Sequence, residues 1–213
     1  KKLKPLCPQL CSRPLAVIDT GDFDARRETP HKEGGYFNFY ETEIVLLILK
    51  KIFEGKEADS LRPKDIGIIA PYKKQVQHIK KTLKSKLTKL SPEEIDGMVA
   101  TLDSFQGQER KMIVYSFTRS NTRTSGSPRI GFLSELRRLN VAFTRCQEQL
   151  IIIGDMDFLS SCEYEEKSED GLPLPNRSEK EFSRFIKYLV DKVKAGAGQF
   201  INSREFLKHV SGE

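Results

Sequence analysis

Two polar segments carry residue types and spacings that could do chemistry. The first is Ser104-Phe105-Gln106-Gly107-Gln108-Glu109. Gly107 would let backbone amides approach a phosphate, and Gln106 and Glu109 would hydrogen-bond a ribose or a base. The same six residues would also make an ordinary polar turn. The second segment is Arg137-Arg138-Leu139-Asn140-Val141-Ala142-Phe143-Thr144-Arg145. If Leu139 and Phe143 face inward on a helix, a rotation of about 100° per residue leaves Arg138 and Arg145 on a common side. A planar guanidinium suits the charge that develops on a transferring phosphoryl group. Arg137 reads as a surface arginine, whereas Arg145, at a helix end beside a buried strand, reads as the functional one. A further stretch, Pro71-Tyr72-Lys73-Lys74-Gln75, follows an apolar run. Tyr72 would either stack on a base or hold its loop through the hydroxyl, and the amides opening the next helix could receive a phosphate.

The elements that must position these residues are legible from periodicity. Leu15-Ala16-Val17-Ile18-Asp19, Ile66 to Ala70, Met98 to Thr101, Met112 to Phe117 and Leu150 to Ile153 are short apolar runs, and the last is all-apolar, as in a parallel strand covered on both faces. Helices are expected over Glu41 to Phe53, from Lys73 through Leu87, from Ser134 to about Arg145, and from Ser178 to about Val193. Ser91-Pro92-Glu93-Glu94 and Ser178-x-x-Glu181 are expected capping boxes. The lysine run of the second helix, Lys73, Lys74, Lys80, Lys81, Lys84 and Lys86, reads as a solvated face. Residues 23–39 read as a loop and 1–14 as a linker or arm. Alternating strands and helices predict an α/β fold, an open and mostly parallel sheet with helices on both faces over 15–159. A mobile acidic, Pro-rich connection follows at 160–177, with a C-terminal helix and tail at 178–213. Ligands approach such a sheet at the carboxyl ends of its strands, so the segments after Ile69, Ala100, Phe117 and Phe143 are expected to converge on one rim.

Composition sets looser bounds. Thirty-six Lys and Arg against 30 Asp and Glu give +6 over 213 residues, which fits a polyanion partner and also many ordinary proteins. No apolar run approaches the roughly 20 residues of a membrane span. Cys7 and Cys11 are near enough to suggest a pair, but the histidines at 31, 78 and 209 are scattered, so no metal site is expected and a reducing, intracellular setting, nucleus or cytoplasm, is the default. The chain has no G-x-x-x-x-G-K-[ST] and no Ser-His-Asp or Cys-His set, so any nucleotide it handles would be held mostly by another domain. Beginning at Lys1, it reads as a piece of a larger protein.

Five collinear segments then become specific: Ile66-Gly67-Ile68-Ile69-Ala70-Pro71-Tyr72-x-x-Gln75, Thr101-x-Asp103-Ser104-Phe105-Gln106-Gly107-x-Glu109, Arg119-Ser120-Asn121, Ile130-Gly131-Phe132-Leu133 and Arg138-Leu139-Asn140-Val141-Ala142-x-Thr144-Arg145. Together they closely resemble the second RecA-like domain of superfamily 1 helicases, nearest the Upf-like and senataxin-like subgroup 1B, over roughly Pro14 to Asp157. The resemblance implies a helicase C-terminal core domain of the P-loop NTPase class that lacks its own P-loop. It implies that Gln106, Gly107 and Glu109 form the nucleotide-side motif V, and that Arg145 is the catalytic motif VI arginine on the γ-phosphate of ATP. It further implies that Pro71, Tyr72, Thr101, Ser104, Ser120 and Asn121 lie along a single-strand groove, while Asn140 braces its helix. ATP and Mg2+ would be bound mainly by a first RecA-like domain of the same protein. Partners would be that domain and single-stranded DNA or RNA, with no membrane and a monomeric 213-residue piece inactive by itself. Cys146 stands where the family usually has Ala, a mild change in size. Two rival expectations are a non-motor binding protein that keeps the scaffold and a simple docking module.

Overall fold

The computed structural model describes residues 5–23, 27–54, 61–105, 107–121, 130–161, 165–167, 173–175 and 177–211. In chain order its strands are β1 (Leu15–Asp19), β2 (Thr29–Pro30), β3 (Tyr36–Phe37), β4 (Ile66–Ala70), β5 (Val99–Thr101), β6 (Arg110–Ser116), β7 (Cys146–Gly154), β8 (Glu165–Lys167), β9 (Pro173–Pro175) and β10 (Gln199–Asn202). The helices are α1 (Phe39–Glu54), α2 (Lys73–Lys86), α3 (Pro92–Met98), α4 (Leu136–Thr144), α5 (Met156–Ser160), α6 (Arg177–Lys192) and α7 (Ser203–Ser211). Six strands form one parallel sheet in the order β10-β1-β7-β6-β4-β5, and β2 with β3 and β8 with β9 form two small antiparallel pairs.

Each central strand is apolar on both faces, because alternate side chains point to opposite sides. Ile66, Ile68, Met112, Val114, Ile151 and Ile153 pack into one cluster with α1, α2, α3 and α7. Ile69, Ile113, Tyr115, Leu150 and Ile152 pack into the other with α4, α5 and α6. This is the RecA-like α/β arrangement expected above. Ser91 caps α3 as predicted, accepting from the Glu94 amide at 3.2 Å, while the Glu94 carboxylate accepts from the Ser91 amide at 2.9 Å.

Four features differ from the sequence reading. The arm read over 1–14 is packed in over its described residues 5–14: Cys7, Leu10 and Cys11 are buried without a disulfide between the cysteines, and buried Gln149 of β7 accepts from the amides of Leu6 and Cys7 and donates to the carbonyls of Cys11 and Arg13. Residues 23–39, expected as a loop, include the β2–β3 pair. The C-terminal segment adds β10 to the sheet beside β1, from Ala16 opposite Gln199 to Asp19 opposite Asn202. Finally, α6 starts at Arg177, so Ser178 lies inside its first turn and is not its cap.

Candidate functional site

The register of the sheet sorts the candidate residues into two ends. β6 opens with Arg110 opposite Cys146, and β7 starts there. Glu109 and Arg145 each immediately precede one of these strands, so both stand at the amino ends. Pro71 and Tyr72 follow β4, Thr101 closes β5 opposite Ala70, and Ser120 and Asn121 come after β6 ends at Ser116, so these stand at the carboxyl ends. The expected single rim is therefore two, separated by the seven residues of β6, about 20 Å at 3.3 Å per residue. The period-2 pattern places side chains on faces, but it says nothing of which strand end a connecting loop returns to.

The loop between β5 and β6 spans both ends. At its start Thr101 Oγ1 accepts from the Ser104 amide at 3.3 Å and donates to Ser104 Oγ at 3.0 Å, a short turn that leaves Ser104 exposed. Phe105 anchors the turn. It is buried, and a Cβ on Gly67 of β4 would lie 2.4 Å from its ring, so only glycine there admits it. Gln106 lies outside the described residues. Gly107 is exposed at φ +81°, in the left-handed region that suits glycine, with open space where a Cβ would stand. Glu109 is exposed and accepts from Gln147 Nε2 at 2.9 Å.

α4 runs back alongside this loop, from the carboxyl ends to the amino ends. Near its start Leu133, Leu139 and Arg138 border a small cavity with Pro71, Leu102 and Tyr115. Arg138 reaches both carboxylate oxygens of Asp103, at 2.5 and 2.6 Å, which ties the helix to the loop. Tyr115 packs edge-on against Phe143 and Leu139 is buried, which fixes the helix on the sheet. Its C-cap is Arg145, half-buried, whose carbonyl accepts from the Arg110 amide at 3.0 Å and whose Nε donates to the Val141 carbonyl at 3.4 Å. Among the described residues Arg145 has no ion-pair partner. Its guanidinium stays available to an anion approaching the amino ends.

At the other end Tyr72 is only 6% exposed. Its hydroxyl accepts from Arg119 Nη1 at 3.0 Å and donates to the Ile130 carbonyl at 3.2 Å, and its ring meets Tyr36 edge-on. Of the two uses read from sequence, this geometry holds the loop and leaves the ring no exposed face for a base. Ser120 is also buried, donating to Asp155 at 2.6 Å, and the Asn121 amide donates to Glu28. Pro71 is half-buried beside the cavity at Leu102.

The sequence reading missed the groups that hold this end in shape. Glu28 accepts from the Ser120 amide, Arg119 Nε and Asn121 Nδ2. Glu41 of α1 is fully buried, accepts from the Ser116 hydroxyl and the Thr118 amide, and is pushed up to about 8 by burial. Thr118 is held at φ +71°, a strained position for a β-branched residue, with its carbonyl accepting from Asn38 Nδ2. Gln75 of α2 joins in, donating to Ser116 Oγ and accepting from the Asn38 amide. Asn38 and Glu41, three apart at the start of a predicted amphipathic helix, were the one visible signal, because two polar residues there fit an internal bond better than a solvated face. Among the described residues no group of three or more His, Cys, Asp or Glu is arranged to hold a metal ion.

The chain is similar to known proteins. Residues 6–157 match the family described as AAA domain. The DNA polymerase alpha-associated DNA helicase A of Saccharomyces cerevisiae is 39% identical over 151 residues, covering 70% of this chain and 20% of that protein. The regulator of nonsense transcripts 1 homolog of Neurospora crassa is 40% identical over 132 residues, 61% of this chain and 11% of that protein. A Mus musculus protein named probable helicase senataxin is 38% identical over 144 residues, 68% of this chain and 5% of that protein. The chain thus spans between 5% and 20% of the length of these relatives.

Proposed function

The chain belongs to this AAA domain family, among the Upf-like helicases of superfamily 1B, and from that premise we propose that it is the C-terminal motor domain of an ATP-dependent helicase or translocase. The observation that carries the reading is the two-ended site. Arg145 stands at the amino end of β7 with no ion-pair partner among the described residues, and its backbone is bonded to the far end of the loop that displays Thr101 and Ser104 at the carboxyl ends. One piece of chain thereby touches both the nucleotide side and the strand side.

In this reading Arg145 supplies positive charge to the γ-phosphoryl group of ATP held by the first RecA-like domain, where a planar, permanently charged guanidinium is effective. Gly107 and Glu109 lie on the same side, and Gln106, immediately before Gly107 in sequence, completes the segment. ATP with Mg2+ supplies the phosphoryl group; this chain's share is to place Arg145 and to close the site against its partner domain. Thr101 and Ser104 present hydroxyls to strand phosphates without reading base edges, which suits stepping along any sequence of DNA or RNA. Pro71, Tyr72, Ser120 and Asn121 act behind them as the packed wall that fixes the loops. The test is ATP turnover by the protein containing both RecA-like domains, with and without single-stranded DNA or RNA. Turnover that rises with strand is expected, together with none from the 213-residue chain alone; turnover by that chain alone would contradict the half-motor reading.

A further inference from the structure

β5 is one edge strand of the sheet, and Val99, Ala100 and Thr101 line an open groove of about 550 Å³ that Lys73 of α2 and Ser104 of the following loop also border. Lys73 and Lys80 border it from α2, and Ser104 and Arg110 from the loop. Gly97 and Arg110 also line a second groove of about 400 Å³, which continues to Arg62 and Lys64 just ahead of β4. The two grooves share these residues, so they form one trough running along the sheet edge from the carboxyl ends to the amino ends.

Five basic residues, Arg62, Lys64, Lys73, Lys80 and Arg110, line the trough against two acidic ones, Glu94 and Asp96, and the trough is partly prepared. Lys64 and Lys73 are exposed and, among the described residues, have no ion-pair partner. The Arg110 guanidinium is fixed by the Glu109 carbonyl at 2.9 Å, by Gln108 Oε1 at 2.8 Å and by the Phe105 ring, while its Nε has no acceptor among the described residues. Asp96 of α3 sits between two lysines, 2.7 Å from Lys84 and 3.3 Å from Lys80, and the Lys84 hydrogen bond holds its carboxyl below the usual range. The small side chains at Gly97, Val99 and Ala100 leave the floor open.

We propose that this trough is a phosphate track along which the single strand gripped at Thr101 and Ser104 continues, past Lys73 and Lys80 to Arg110 and Lys64, displacing Asp96 from its two lysines. The inference rests on the helicase reading above and extends it to a face of the domain that the sequence presents only as a solvated lysine surface. A polyanion fits because the charge is complementary and the path is continuous with the proposed grip. Backbone contact suffices there, since no aromatic ring is among the described residues lining the trough and Phe105 of the loop is buried beneath Arg110.

The experiment measures binding of labelled oligo-dT and oligo-U to the full-length protein by fluorescence anisotropy across a salt series. The variants are Lys64→Glu with Lys73→Glu, and separately Asp96→Asn, with thermal unfolding recorded for each. The lysine double variant is expected to bind about tenfold more weakly and to lose about 1.4 from its salt slope, at roughly 0.7 per phosphate contact on a single strand. Asp96→Asn is expected to bind a few-fold more tightly, because it releases two lysines. If the wild type binds and both variants match its affinity and slope, the track is overturned while the helicase reading stands. Competition by poly-glutamate, with oligonucleotide binding unchanged in the variants, would assign the trough to an acidic peptide instead and equally overturn it. If the wild type binds neither oligonucleotide, both readings fall.

Discussion

The backbone amide of Arg110 donates to the carbonyl of Arg145 at 3.0 Å, joining the end of the β5–β6 loop to the end of α4. Near the opposite end of both segments Arg138 holds Asp103. The loop and the helix are thus tied at two points, one near the proposed strand grip and one beside the proposed phosphate arginine.

The anchor of that loop is a glycine. A Cβ at position 67 would meet the Phe105 ring at 2.4 Å and Ile113 at 2.8 Å, inside a packed interior that has no room to yield. Gly67→Ala is expected to destabilise the chain by about 1–3 kcal/mol in denaturant unfolding. It is also expected to weaken strand binding by displacing Ser104. A variant of unchanged stability would show that Phe105 does not fix the loop.

Tyr72 gives a sharper separation of roles. Tyr72→Phe removes the acceptor for Arg119 Nη1 and the donor to the Ile130 carbonyl, while the ring stays. Arg119, 3% exposed, keeps Glu28 but loses one partner. A loss of about 1–3 kcal/mol is expected by thermal or chemical unfolding, with strand affinity nearly unchanged. A large loss of affinity at unchanged stability would instead give the Tyr72 hydroxyl a direct role with the strand.

Glu41 makes stability depend on pH. Burial pushes its carboxyl up to about 8, so the folded state holds the proton more tightly than the unfolded chain does. Its contribution is fully present below the unfolded-state pKa, falls as pH rises, and is lost once pH passes about 8. Unfolding temperatures measured from pH 5 to pH 9, on the order of the range that brackets this titration, should decline for the wild type. The decline should be shallower in Glu41→Gln, which cannot ionise. Parallel profiles for the two would show that Glu41 is not the group responsible.

Much of the fold was legible because its central strands are continuous apolar runs; Ile66 to Ala70 and Leu150 to Ile153 could hardly be anything but buried parallel strands. β10 was not, because an edge strand needs less apolar surface and Gln199-Phe200-Ile201-Asn202 offers only two apolar residues. The N-terminal arm was missed for a related reason: Gln149 satisfies its backbone from 142 residues away in sequence, and local pattern carries no trace of such a bond. In the candidate site the residue types of Arg145, Glu109 and Ser104 were readable. Their division between two ends of the sheet was not, since strand register is set by tertiary packing. Glu28 and Glu41 were hidden because a charged residue in a polar stretch looks solvated until its partners are placed.

The central claim is that hydrolysis and strand grip are served from opposite ends of this sheet. Arg145→Ala in the full-length protein, measured for both ATP turnover and single-strand dissociation constant, tests it most directly. Turnover should fall by about a thousandfold or more, as removal of an arginine finger does, while the dissociation constant changes little. Thr101→Ala with Ser104→Ala should show the reverse, weaker strand binding with strand-independent turnover kept. An Arg145→Ala protein that still hydrolyses ATP at the wild-type rate would contradict the account.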